Sequence, residues 1–168
     1  ESVINELHQA QLNTMMISGD NEAGCIRVQN VLSLSETHSE CTAEQKLNII
    51  KQQQTGEDKI AMIGDGINDT PVFGAAQVSI SMGSGTDIAK SGADVILLSN
   101  KLSSVTRLRN IAIKTKRIII ENYLWAFGYN AIVLPLAVSG NITPYWAVIG
   151  MSSSSILVVL NSLRLLKK

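Results

Sequence analysis

Lys59-Ile60-Ala61-Met62-Ile63-Gly64-Asp65-Gly66-Ile67-Asn68-Asp69 carries four apolar residues straight into a polar turn. Lys59 to Ile63 has the length and composition of a buried strand, and the two glycines after it permit a tight change of direction. Asp65, Asn68 and Asp69 put two carboxylates and an amide on that turn. These are hard oxygen donors, the kind Mg²⁺ takes while it keeps part of its water shell. Read alone, Gly64-Asp65-Gly66 is equally a plain turn, so the neighbouring segments have to decide.

Upstream, Asn13 to Ile17 is a short apolar run that ends in Ser18-Gly19-Asp20, and Val31 to Leu34 is a second apolar run. Ser18 offers a hydroxyl and Gly19 an unobstructed backbone N–H, a pairing suited to phosphate oxygens at a helix N-terminus. From Thr42 to Gln54 the residues Leu47, Ile49 and Ile50 form a helical stripe, with Thr42 and Gln45 spaced as a capping box. Lys46 on that helix supplies a positive charge for the same phosphate. Each has a plain alternative: Ser-Gly-Asp as a cap, Lys46 as a solvated surface lysine. Downstream, Val78 to Ser81 and Asp94 to Leu98 read as strands flanking a short helix that starts near Thr86. A longer helix runs on from Ser103. Alternation of this kind predicts a parallel sheet covered on both faces, with ligands gathered where strands end.

The whole chain has 168 residues, 45% hydrophobic and 17% charged, with 14 basic and 14 acidic side chains and two cysteines. Those values exclude a broad basic face for nucleic acid, a disordered chain and a disulfide-stapled scaffold. The balance of charge is local rather than uniform. Residues 1–121 are net −3, residues 122–168 are net +3, and the 42 residues between Glu121 and Arg164 carry no charge at all. Roughly 20 apolar residues cross a bilayer, so 42 predict two spans. The turn-forming Ser139-Gly140-Asn141-Ile142-Thr143-Pro144 separates Asn122–Val138 from Tyr145–Leu163. Lys114, Lys116 and Arg117 before the first span, and Arg164, Lys167 and Lys168 after the second, place both ends in the cytosol by the positive-inside rule. Tyr123, Trp125, Tyr145 and Trp146 suit the two interfaces. A buried helical hairpin of a larger soluble protein is the alternative, disfavoured because such helices keep a charged face. The N-terminus, Glu1-Ser2-Val3-Ile4-Asn5-Glu6, lacks the basic and apolar regions of a signal peptide.

Ser18-Gly19-Asp20, Lys46, Gly64-Asp65-Gly66-Ile67-Asn68-Asp69-Thr70-Pro71, Met82-Gly83-Ser84-Gly85-Thr86-Asp87 and Ala93-Asp94, in that order, resemble the later part of the phosphorylation domain of P-type ATPases, a branch of the haloacid-dehalogenase superfamily. Asn122-Tyr123-Leu124-Trp125-Ala126, Tyr129-Asn130, Met151-Ser152-Ser153-Ser154-Ser155 and Asn161-Ser162-Leu163-Arg164-Leu165 are similar to the last two membrane helices of its heavy-metal subgroup. The resemblance implies an α/β fold. Residues 1–108 would form a partial haloacid-dehalogenase-like (Rossmann-like) parallel sheet with helices on both faces, and residues 109–168 a linking helix, a two-helix transmembrane hairpin and a short basic tail. It also implies roles. Asp65 and Asp69 would bind Mg²⁺, with Asn68 and Asp69 fixing the site and the phosphoryl group. Ser18 and Gly19, in the Ser18-Gly19-Asp20 loop, would hold phosphate oxygens, and Lys46 would neutralise charge during transfer. Ser18 stands where the family usually has Thr. Ala43-Glu44-Gln45-Lys46 stands where it usually has Pro-Glu-Asp-Lys, so the lysine stays and the helix-opening proline is lost.

Cargo identity belongs to the spans, where polar groups are costly. A divalent ion such as Zn²⁺ is expected to meet a carboxylate, and the zinc subgroup carries a charged residue in each span. Here Tyr129, Asn130, Met151 and Ser155 take that place, and the Met thioether suits Cu⁺, with Ag⁺ as a surrogate. Met151, Ser155 and Ser162 are spaced to share one helix face. Small-residue packing and a Tyr–Asn hydrogen bond are the alternative reading of the same residues. Gln77 to Ser81 and Trp146 to Ser152 are most similar to bacterial copper pumps that serve haem-copper oxidase assembly. That implies a copper chaperone or an oxidase assembly factor as a partner besides the remainder of the same ATPase polypeptide. Cys25, Cys41, His8 and His38 are read as structural or incidental.

The family's phosphorylated Asp-Lys-Thr-Gly-Thr, its nucleotide-binding and actuator domains and its Cys-Pro-Cys span are not in this sequence. The expectation is therefore a C-terminal fragment of an inner-membrane, multi-pass Cu⁺ ATPase that uses ATP, inactive by itself, with residues 1–121 and the tail cytoplasmic. A truncated, non-catalytic membrane module that binds metal or regulates an intact pump is the alternative. A membrane-anchored phosphatase fits poorly without a nucleophile.

Overall fold

The strand predicted to carry the polar turn runs Ala61–Gly64 and is followed by a one-turn helix at Thr70–Phe73, with Pro71 in its first turn where its missing N–H costs nothing. The computed structural model describes residues 1–54, 59–65, 69–84, 92–140 and 143–166. In chain order these form α1 (Ser2–Gln9), β1 (Met15–Ile17), α2 (Glu22–Leu32), β2 (Glu36–His38), α3 (Ala43–Gln53), β3 (Ala61–Gly64), α4 (Thr70–Phe73), β4 (Val78–Ser81), β5 (Val95–Ile96), α5 (Ser103–Val138) and α6 (Pro144–Ser162). A 3₁₀ turn, Leu163–Leu165, closes the described chain. Two compact units result, Glu1–Thr106 and Arg107–Lys168.

In the first unit every strand pair is parallel. Met15–Ile17 pairs with Glu36–His38, Ala61–Gly64 with Val78–Ser81, and Ile80–Ser81 with Val95–Ile96. The expected single sheet is therefore described as two, β1-β2 and β3-β4-β5. Helix α2 packs on β2, α3 on α4, and α4 on β4. Ile4, Cys25, Ile50, Val72, Phe73, Ile80, Leu97 and Val105 form the buried apolar set of this unit, and Val72 and Phe73 are almost fully enclosed.

Local chemistry explains most boundaries. The capping box at α3 is complete: Gln45 N–H donates to Thr42 Oγ1 and Thr42 N–H donates to Gln45 Oε1. Asn21 caps α2 by accepting from the Gly24 N–H at 2.8 Å. Val31 and Leu32 close α2 instead of forming the expected strand, because Ser33 turns left-handed at φ 54° and ends the helix. The strand lies further on, in the polar Glu36-Thr37-His38. The Asp94–Leu98 strand shortens to Val95–Ile96, and the helix expected from Thr86 falls outside the described residues.

In the second unit, α5 has 36 residues, about 54 Å at 1.5 Å per residue, and α6 has 19. By length and hydropathy one stretch among the described residues qualifies as a membrane span, Val148–Leu165, with mean hydropathy 1.5. Asn122–Val138, the other expected span, does not qualify by the same measure. Leu124, Phe127, Ile132, Leu134, Ile156 and Val159 are exposed within this unit. Asn141 and Ile142 of the expected turn lie outside the described residues.

Candidate functional site

Ser18 and Asp65 each follow the C-terminal end of a parallel strand, β1 and β3 respectively, where ligands gather in folds of this type. The Ser18 N–H donates to His38 O at 2.9 Å and its carbonyl accepts from Cys41 N–H at 2.9 Å, extending the β1-β2 ladder by one residue. Its hydroxyl donates to Asp20 Oδ2 at 2.9 Å and accepts from the Asp20 N–H at 3.1 Å. The Glu40 N–H donates to Asp20 O at 2.8 Å, so the loop is tied on both sides. Gly19 is exposed.

Asp65 is exposed immediately beyond β3, whereas Asp69 is buried. Lys46 reaches across from α3 and its Nζ donates to Asp69 Oδ1 at 2.9 Å, with the two side chains only 14% and 12% exposed. The other oxygen, Oδ2, lies against the backbone of Gly64. A Cβ at Gly64 would stand 2.8 Å from it and 3.1 Å from Phe73 Cε1, so the close approach of this carboxylate requires glycine. Lys46 was expected to face phosphate; it sits on the second carboxylate of the Gly-Asp loop. Asn68 lies outside the described residues. Among the described residues no three His, Cys, Asp or Glu side chains converge. Asp65 and Asp69 nevertheless fit Mg²⁺ by donor chemistry, since this ion is commonly held by one or two carboxylates plus water and phosphate.

Asp94 Oδ2 accepts from the Ser79 N–H at 2.8 Å and from the Ser79 hydroxyl at 2.7 Å, while the Asp94 N–H donates back to Ser79 Oγ at 3.0 Å. The Ser79 backbone N–H, helped by its hydroxyl and opposed by desolvation, holds the Asp94 carboxyl below the usual aspartate range. This joint ties β4 to the start of β5. The buried serines inside an otherwise strand-like Val78-Ser79-Ile80-Ser81 were the signal for it.

In the second unit Tyr129 is half-buried and lies over Gly150, where a Cβ would stand 3.0 Å from the tyrosine Cζ. Asn130, Met151 and Ser155 are exposed, and the Ser155 hydroxyl donates to the Met151 carbonyl at 3.1 Å. Ser162 does not join that exposed pair. It is half-buried and accepts from Asn122 Nδ2 at 3.0 Å. Thus Tyr129 faces α6 while its neighbour Asn130, about 100° further round the helix, does not.

The class is a haloacid-dehalogenase-like domain: the family model of haloacid dehalogenase-like hydrolases matches residues 43–108, and parallel strands with polar loops at their C-terminal ends agree with it. The sequence places it further. It is 38% identical over 170 residues to the probable copper-importing P-type ATPase A of Enterococcus hirae, a match covering 100% of this chain and 23% of that protein. It is 38% identical to a copper-exporting P-type ATPase of Mycobacterium leprae, covering 95% of this chain and 20% of that one. The crystal structure of a zinc-transporting PIB-type ATPase in the E2.Pi state superposes with a TM-score of 0.93 at 32% identity, over 99% of this chain and 27% of the other. Over nearly its whole length the chain is thus homologous to one part of P-type ATPases. It spans about a fifth of the length of the curated relatives it matches.

Proposed function

We propose that this chain serves ATP-driven Cu⁺ translocation through an aspartyl-phosphate intermediate. Residues 1–108 would act as the later part of the phosphorylation domain and residues 109–168 as a linking helix, two membrane spans and a basic tail, with both ends in the cytosol. The observation that carries the phosphoryl-transfer half is the Lys46–Asp69 pair, which brings a buried ammonium to the carboxylate loop after β3. Asp65 and Asp69 would hold Mg²⁺, which when bound supplies positive charge to phosphoryl oxygens. The Gly19 N–H would donate to phosphate oxygens at the end of β1, and the Ser18 hydroxyl would do so on turning from Asp20 Oδ2. Lys46 has three donors, so it can keep Asp69 and still offer a hydrogen to a phosphate oxygen. The remainder of the same polypeptide would supply the phosphorylated aspartate and the nucleotide site.

Copper is favoured over zinc by the charge pattern. No carboxylate lies between Asn122 and Leu163, and Tyr129, Asn130, Met151 and Ser155 present oxygen and thioether donors that suit a soft monovalent ion. The two bacterial relatives are both named for copper and differ in direction, so they support the cargo and leave the direction open. The test is metal-stimulated ATP hydrolysis by the whole polypeptide that contains this chain. Stimulation by Cu⁺ or Ag⁺ that Met151→Ala weakens is expected; equal or greater stimulation by Zn²⁺ would overturn the cargo assignment.

A further inference from the structure

Midway along α5 and at the C-terminal end of α6, six side chains close a polar network. Glu121 Oε2 accepts from Arg164 Nη1 at 2.7 Å and from Asn161 Nδ2 at 3.3 Å, while Oε1 accepts from Arg117 Nε at 3.1 Å, one turn earlier on α5. Arg164 Nη1 also donates to Asn161 Oδ1 at 2.7 Å. Asn161 Nδ2 donates to Asn122 Oδ1 at 2.9 Å, and Asn122 Nδ2 to Ser162 Oγ at 3.0 Å. Both ends of the Asn122 amide and both oxygens of Glu121 are therefore engaged, and the Asn161 amide, with the two arginines adding to it, keeps Glu121 ionised below the usual glutamate range. Beside the network lies a cavity of about 250 Å³ bordered by Glu121, Asn122, Trp125, Leu157, Val158 and Asn161.

One turn toward the N-terminus of α6, Leu157, Val158 and Leu160 offer no side-chain donor; one turn beyond it Leu165 and Leu166 stand in place of Asn161 and Ser162, and only Lys168 replaces a donor. Polar groups on one helix face specify alignment because every alternative leaves them unpaired in an apolar setting. In the observed alignment Tyr129 lies over Gly150, the residue before Met151, where any larger side chain would meet the ring.

We propose that Glu121 and Arg164, through Asn122 and Asn161, are positioning residues that fix the α5–α6 register and so set Tyr129 beside Gly150 and Met151. The effect on cargo rests on the copper reading above; the register itself does not. Trp125 borders the cavity, and Trp146 is the chain's other tryptophan. The chain carrying Trp146→Phe, in nanodiscs of phosphatidylcholine and phosphatidylglycerol at pH 7, therefore reports on the network through Trp125 emission without metal or nucleotide. Glu121→Ala is expected to shift that emission and to raise acrylamide quenching at least twofold, and Arg164→Ala to do the same. Glu121→Gln, which keeps an acceptor oxygen, is expected to restore most of the native signal. Unchanged emission in both alanine variants, or a Gln variant no better than Ala, would overturn the proposal. In the whole polypeptide Glu121→Ala is expected to raise the Cu⁺ concentration for half-maximal ATPase activity about tenfold, with Gln restoring it. A normal emission response with no change in Cu⁺ dependence would refute the cargo-positioning half and retain the register.

Discussion

The two units each use an ion pair between side chains distant in sequence, and they use it differently. Lys46–Asp69 is enclosed, 14% and 12% exposed, with glycine backbone pressed against the other carboxylate oxygen. Arg164–Glu121 is half open to solvent, 53% and 33% exposed, and gains definition from two asparagines rather than from burial. Burial makes the loss of one partner expensive, because the other charge is left without compensation. Openness makes the second pair a weak source of stability and a good source of alignment. The first arrangement suits a site that must present charge to a phosphate, the second a contact that must choose one register.

The comparison breaks most severely at the enclosed pair. Asp69→Ala is expected to destabilise the first unit by about 3 kcal/mol, since it strands the Lys46 ammonium, and hydrogen exchange of the α3 and β3 amides measures it. Replacing both, Lys46→Met with Asp69→Leu, should cost less than Asp69→Ala alone. Gly64→Ala comes next, at about 2 kcal/mol, because its methyl meets Asp69 and Phe73 and the core has to shift; the same exchange experiment reads it. Thr42→Ala removes the cap that orients α3 and should cost about 1 kcal/mol, seen as faster exchange in the first turn.

The smallest effect is one of pH. Asp94 titrates below its ordinary range in the folded protein, so its contribution is complete above the unfolded-state value and is lost as pH falls through the lower folded value. Protection of the β4 amides should therefore decline on acidification below about pH 4. Asp94→Asn should remove that part of the slope while Glu121, in the other unit, keeps its own.

Much of the first unit was legible because its signals are local. Ile60 to Ile63 before two glycines, Val78 to Ser81, and Thr42 with Gln45 each depend on neighbours within four residues. Helices α1 and α2 and strand β2 were not read: Glu36-Thr37-His38 is polar and becomes a strand only through its ladder with Met15–Ile17. The run Val31 to Leu34 misled because one left-handed serine turns a strand-like string into a helix end. The partner of Lys46 could not be read from spacing, since Asp69 is 23 residues away and meets it only once α3 packs on α4. Asn122, Asn161 and Arg164 were visible as family wording and Glu121 as the last acid before the uncharged run, but their mutual bonds span about 40 residues and needed the helices in place.

The proposed role of the carboxylate loop after β3 in copper-coupled phosphoryl transfer makes Asp65 indispensable. It is tested most directly by Cu⁺-stimulated ATP hydrolysis of the whole polypeptide with Asp65→Ala, a substitution at an exposed residue that leaves the Lys46–Asp69 pair in place. Loss of that activity in a protein that still folds is the predicted result; Cu⁺-stimulated turnover undiminished by Asp65→Ala would contradict it.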